Sequence, residues 1–177
     1  MTLPIRSRIL VTGASGSGTT TLARSVADRL RIGALDADDY FWLPTSPPYV
    51  SKREPGERLA MILRDLDVAG DCVLCGSIVD WGRELEDSFS LIVFLTVPAP
   101  IRIERLRIRE TAQLGQADPA FLEWAAQYDE GRLEGRSRPK HERWLAARRC
   151  PVLRIDGEVR LDDSTTRVLT ALYTGAS

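Results

Sequence analysis

Lysine is almost missing from this chain of 177 residues. Only Lys52 and Lys140 carry an ammonium, so nearly all of its 24 basic side chains are arginine. Histidine is rarer still, with His141 alone, which sets aside a histidine-based metal site. Of the three cysteines, Cys72 and Cys75 form a C-x-x-C, but they lie in the apolar run DCVLCG, which reads as a strand. Side chains three apart on a strand point to opposite faces, so the pair is expected to be buried and structural, sharing neither a metal nor a redox bond. Cys150 has no partner in sequence. No apolar run approaches the ~20 residues of a membrane span, and MTLPIRSRILVTG lacks the apolar core and small-residue cleavage site of an export signal. The expectation is a cytoplasmic protein without a membrane role. A formal net charge of −1 and a pI near 5.9 argue against a nonspecific nucleic-acid binder, which needs a basic surface to displace counterions.

What is present is a chain long enough, and at 44% hydrophobic content apolar enough, for one substantial core, so residues 1–177 are expected to form a single domain. Short β-rich runs alternate with helical periodicity. The apolar run 9–11 leads into a glycine-rich loop, and 19–31 follows as a helix with Leu22, Val26 and Leu30 on one face. A second strand is expected over 32–35, ending in the acidic cluster Asp36, Asp38 and Asp39. Prolines 44, 47 and 48 mark a loop, followed by a helix over 57–68 with Leu59, Ile62, Leu63 and Leu66 inward. Further strands are expected at 72–75, 91–97 and 152–155, and further helices at 101–110 and 161–173. The stretch 111–140 reads as an excursion: one short helix with Phe121, Trp124, Ala125 and Tyr128 on a face, then Gly131 and Gly135, the pattern of a mobile lid. Alternating strands and helices predict an α/β fold, a parallel sheet covered on both faces, with ligands bound beyond the carboxyl ends of the strands.

At one such end the chain reads Gly13-Ala14-Ser15-Gly16-Ser17-Gly18-Thr19-Thr20. This has the spacing G-x-x-x-x-G-K-[ST] of a phosphate-binding loop, with Thr19 where that pattern has lysine. Glycines let successive backbone N–H groups turn onto an anion, and the next helix offers its unpaired donors; Thr20 stands where a hydroxyl would ligate Mg²⁺. The glycines do not fit the G-x-G-x-x-G dinucleotide spacing. One carboxylate of the acidic cluster would order Mg²⁺ through water and another would take the proton of an attacking hydroxyl, with Asp38 the leading base, Asp36 the metal candidate and Asp39 near the substrate. If the strand extends that far, Asp36 and Asp38 project together. Trp42, Ser77 and Trp81 are pocket candidates beside the same edge, whereas Phe41 is assigned to the core. Arg102, Arg105 and Arg109 recur at helical spacing and so share a face at the base of the excursion, and Arg136 and Arg138 lie near its far end. Arginine forks phosphate oxygens, so Arg105, Arg109, Arg136 and Arg138 are candidates to deliver charge onto a transferring phosphoryl group.

GASGSGTT, the LDADD after the second strand, the CGS after the third and FLTVP before an arginine-bearing helix together resemble the small P-loop kinases, the group containing adenylate kinase and shikimate kinase. The run GSGTTTLA followed by DDYFWLP resembles bacterial adenylate-kinase-like P-loop proteins in particular. The resemblance implies a five-stranded parallel sheet in a three-layer α/β/α fold, an acceptor-binding segment near 40–69 and a helical lid near 110–140. It also implies ATP phosphates on Gly13 through Thr20, with Mg²⁺, and a small-molecule or nucleotide acceptor. Two functions of different class follow: an ATP-dependent phosphotransferase in which an arginine supplies the charge lost at Thr19, and a nucleotide-binding regulator or scaffold with little kinase activity.

Overall fold

A computed structural model describes residues 7–174; the first six residues, part of the stretch examined for an export signal, lie outside the described residues. Five parallel strands, β1 (Arg8–Gly13), β2 (Gly33–Asp36), β3 (Cys72–Cys75), β4 (Leu91–Thr96) and β5 (Val152–Asp156), are ordered β2-β3-β1-β4-β5. β1 is central, and its residues alternate between two apolar layers. Leu10 joins Leu74, Ile92 and Phe94 on one face, with Ile62 and Leu66 of α3 (Pro55–Ala69). Ile9 and Val11 join Val73 and Val93 on the other, with Leu22 and Val26 of α1 (Thr19–Leu30) and Val168 of α8 (Leu161–Thr174). Burial on both faces is why the three inner strands, β3, β1 and β4, read as continuous apolar runs. Cys72 packs in the first layer and Cys75 in the second, as the strand alternation requires, and the cysteines are free.

Two expectations are corrected and a third is extended. The second strand ends at Asp36, and α2 (Ala37–Phe41) follows at once, so strand alternation does not govern Asp38. Instead the Asp36 carboxylate caps α2, accepting the Asp38 amide proton at 3.0 Å. The excursion is divided differently from the single helix read in the sequence. α5 (Ala99–Leu114) runs into it and stops at Gly115; α6 (Pro119–Ala126) is followed by a 3-10 turn, Gln127–Asp129, which carries Tyr128; α7 (Arg138–Ala146) then begins on the Ser137 cap. Finally, α3 buries Arg58 along with Ile62 and Leu66, so an arginine joins the apolar stripe, while Leu59 and Leu63 pack partly buried against the same core as expected. A four-residue helix, α4 (Arg83–Glu86), completes the set and holds the buried Leu85.

Candidate active site

The loop between β1 and α1 is built by close approach. A Cβ at Gly13 would come within 2.6 Å of the Leu95 carbonyl oxygen, and one at Gly16 within 2.6 Å of the Arg102 carbonyl oxygen. Gly16 also has a φ of 81° and Gly18 a φ of 95°, backbone that side chains disfavour. Gly18 caps α1 with no side-chain partner, leaving the first-turn amides facing outward, and a Cβ there would meet nothing within 4 Å. The loop is therefore tight on its protein side and open on its outer side, the shape of an anion cradle. The buried Ser17 hydroxyl makes no hydrogen bond among the described residues. Ala14, Ser15 and Thr19 complete the turn; Thr19 opens α1 with no ammonium to offer.

Beside the loop, the Thr20 hydroxyl donates to Asp36 Oδ2 at 3.5 Å, and the Cys75 thiol lies behind it, 3.7 Å from Thr20 Oγ1. Burial, with Asp36 nearby, pushes that thiol up to about 12, so it stays protonated. A threonine hydroxyl next to a carboxylate, at the mouth of a phosphate cradle, is the donor set a nucleotide-borne Mg²⁺ accepts, because that ion takes most of its ligands from phosphate and water. Among the described residues no group of three histidine, cysteine or acidic side chains forms a self-sufficient metal cage.

Two cavities flank the loop. One, of about 190 Å³, lies over the β2–β3 side and is lined by Asp38, Trp42, Ser77, Trp81, Arg136 and His141, among others. Asp38 is exposed and lines this concavity. Crowding by the surrounding walls removes part of its hydration and raises its pKa, an effect opposed by Arg136 and Arg109 and reinforced by Asp36. Gly76, at φ 109°, lets the chain after β3 pass against Ala37, where a Cβ would fall 2.8 Å from the Ala37 side chain; this brings Ser77 to the cavity wall. Trp81 stacks with Phe41 at 6.1 Å, and the Arg58 guanidinium lies 4.1 Å from the Trp81 ring centre with its Nε buried and without a hydrogen-bond partner among the described residues.

The second cavity, of about 320 Å³, lies on the β4–β5 side and is lined by Ser17, Gly18, Thr21, Arg105, Gly157 and Glu158, among others. Arg105 bonds Glu158 there at 2.9 Å, away from Asp38.

The arginines expected to act together thus separate. Arg109 and Arg136 both act on Asp38; Arg109 also pairs with Glu110 at 2.9 Å, whereas Arg136 has no ion pair among the described residues and lies 5.5 Å from the Trp124 ring centre. Arg138 is drawn to Asp129 at 3.7 Å and lines neither cavity. Asp39 is exposed and lines neither cavity, its pKa raised by burial and by Asp36 with Arg24 opposing. Arg102 is wholly buried: it donates to Val97 O at 2.9 Å, Ser15 O at 3.3 Å and Ala125 O at 3.1 Å, and pairs with Asp129 at 3.1 Å. One guanidinium therefore ties the loop to the excursion.

A domain model described as an AAA domain matches residues 9–117, from β1 through α5 and just beyond it. The chain belongs to the AAA domain family. It is similar to the protein YqaC of Bacillus subtilis (strain 168), described as uncharacterized. The two are 38% identical over 178 residues, covering 95% of this chain and 98% of the relative. Its fold is that of P-loop kinases. A shikimate kinase from Bacteroides thetaiotaomicron superposes with a TM-score of 0.61 at 18% identity, covering 94% of this chain and 98% of that one. A gluconokinase from Sinorhizobium meliloti 1021 gives 0.59 at 18% identity, over 97% and 94%. A shikimate kinase from Acinetobacter baumannii in complex with shikimate gives 0.59 at 16% identity, over 96% and 94%. This AAA domain protein accordingly has the three-layer α/β/α P-loop fold.

Sequence reasoning passed over Arg58 and His141. Each had a signal: Arg58 stands four residues before Ile62 and eight before Leu66, and His141 three and four before Trp144 and Leu145. A polar residue in an apolar helical stripe is either paired inside or aimed at a site.

Proposed function

We propose that this AAA domain protein binds ATP with Mg²⁺ on Gly13 through Thr20 and transfers the γ-phosphoryl group to a compact, hydroxyl-bearing small molecule. The observation that carries the reading is the convergence of Asp38 and Arg136 in one cavity beside the Thr20–Asp36 pair. At about 190 Å³ that cavity is smaller than the roughly 300–1,000 Å³ of drug-sized sites, which favours a small acceptor over a nucleotide. The second cavity, on the far side of the loop, then takes the nucleoside. Its single domain spans an acceptor segment near 40–69 and a lid near 110–140, and it works in the cytoplasm.

The Asp38 carboxylate accepts the proton of the acceptor hydroxyl as that oxygen bonds to the γ-phosphorus and the bond to the β-phosphate bridging oxygen breaks. Its raised pKa makes it a stronger base than an ordinary carboxylate. Arg136, unpaired, and Arg109 supply positive charge to the phosphoryl oxygens that Thr19 does not. Mg²⁺, held by the Thr20 hydroxyl and through water by Asp36, would neutralise charge between the β- and γ-phosphates. Arg138 is a lid residue that reaches the site only on closure.

A second reading, a nucleotide-binding regulator, is favoured by Thr19 itself, since backbone amides and a helix end suffice to hold phosphate. A screen of hydroxy acids and polyols with γ-labelled ATP separates the two. Transfer of label that falls at least a hundredfold in Arg136→Ala and Asp38→Asn, with ATP affinity changed far less, supports the enzyme. ATP binding without transfer to any acceptor supports the regulator.

A further inference from the structure

Three side chains that this chemistry does not use meet behind the first cavity. The Tyr128 hydroxyl lies 2.5 Å from His141 Nδ1, and His141 Nε2 lies 2.9 Å from the Ser77 hydroxyl oxygen. They come from the 3-10 turn, from α7 and from the chain after β3. His141 is 0% exposed and Tyr128 4%, with the Phe94 ring edge-on to the imidazole at 5.8 Å. Ser77 and His141 line the cavity and Tyr128 does not, so the three form a path from the interior to the cavity wall.

The direction of the path follows from counting protons. Burial first, and Arg136 second, hold the His141 pKa down to about 4 with Glu142 opposing, so at neutral pH the ring carries one proton, with one nitrogen donating and the other accepting. Tyr128 keeps its proton, its pKa raised by burial and by Asp129. Among the described residues its hydroxyl makes no hydrogen bond except to His141. If Nδ1 carried the ring proton, the Tyr128 hydrogen would be buried without an acceptor, an arrangement native interiors avoid. Tyr128 therefore donates to Nδ1, the ring proton sits on Nε2, and Nε2–H donates to Ser77 Oγ. The Ser77 hydrogen is then not needed by the chain and turns to the cavity.

We propose that Tyr128, His141 and Ser77 form a one-way hydrogen-bond chain that fixes Ser77 as a donor into the cavity, selecting molecules that present an acceptor oxygen at that wall. Ser77 is the contact and a specificity-determining residue; His141 and Tyr128 are positioning residues. The ligand class is a compact oxygen-rich molecule carrying a carboxylate, ether or hydroxyl oxygen opposite Ser77. The assignment of the cavity to the acceptor rests on the phosphotransferase reading; the direction of the chain does not.

The chain's single histidine makes the test direct, because ring-¹⁵N-labelled protein reports His141 without assignment. At pH 7 the expected signature is a proton bonded to Nε2 and a bare Nδ1, with the preference for Nε2 lost in Tyr128→Phe. A proton on Nδ1 in the unmodified protein overturns the proposal, whatever the acceptor screen yields. In the same screen, Ser77→Ala is expected to raise the acceptor KM about tenfold with kcat within a few-fold, Ser77→Thr to restore it, and Tyr128→Phe to move KM the same way. An unchanged KM in Ser77→Ala overturns the selecting role. Failure of every acceptor to take label sinks the phosphotransferase reading and the selecting role with it, while the ring tautomer separately decides the direction of the chain.

Discussion

Thr19 and His141 carry the two sharpest consequences of single side chains. Thr19→Lys restores an ammonium beside the cradle, and a hydrogen bond to a charged group contributes about 1.5–3 kcal/mol, so ATP affinity should rise ten- to a hundredfold by calorimetry. An unchanged affinity would mean that the phosphates do not pass this position. His141 couples folding to pH. Its pKa falls from 6.5 to about 4 on folding, so between those values the unfolded chain takes up a proton that the folded one refuses. Stability should decline as pH drops from about 6.5 to about 4, by roughly 3 kcal/mol from this residue, and be unaffected by it above. Asp38, with its raised pKa, acts in the opposite sense as it protonates, so the difference between the native protein and His141→Gln isolates the slope. Denaturant melts at several pH values check it. Residues of the glycine loop were legible because a fixed spacing reports a fixed backbone shape. Arg58 and His141 were not, because their partners, Trp81, Ser77 and Tyr128, come from elements remote in sequence.

The elements around the site are joined by α5, whose Arg102 reaches both the loop and the excursion. Arg102→Met keeps the stem and removes the donors. The cost should be about 3 kcal/mol, chiefly from buried carbonyls of Val97 and Ala125 left unpaired. Asp129, more than a third exposed, adds little. ATP binding should weaken along with Tm, since the Ser15 carbonyl loses its anchor; a Tm loss with unchanged affinity would show that loop and excursion are independent. Gly16→Ala should damage the same joint from the other side, destabilising the fold and lowering ATP affinity, because its Cβ meets the rigid Arg102 carbonyl. The five strands were readable from apolar runs bounded by turn residues. The division of 111–140 was not, because whether Tyr128 continues a helix or enters a 3-10 turn depends on its hydroxyl meeting His141, and on Arg102 holding the carbonyl of Ala125. The arginine face of α5 misled for a related reason: periodicity assigns a direction, and each guanidinium then follows its own carboxylate.

For the molecule as a whole, a single sheet with one core layer on each face predicts one cooperative unfolding transition. ATP with Mg²⁺ at a hundred times its Kd should raise stability by about 2.7 kcal/mol, a Tm shift of about 5–10 °C seen by scanning calorimetry as one peak moving. Two peaks, with only one moved, would indicate that the excursion melts alone. The two cavities also differ in a way that makes them separable in solution. Trp42 and Trp81 line the smaller one, and no tryptophan lines the larger. The indole emission of this protein is thus a built-in optical gauge of one cavity, sensitive to occupancy over β2 and β3 and comparatively blind to a nucleoside seated over β4 and β5.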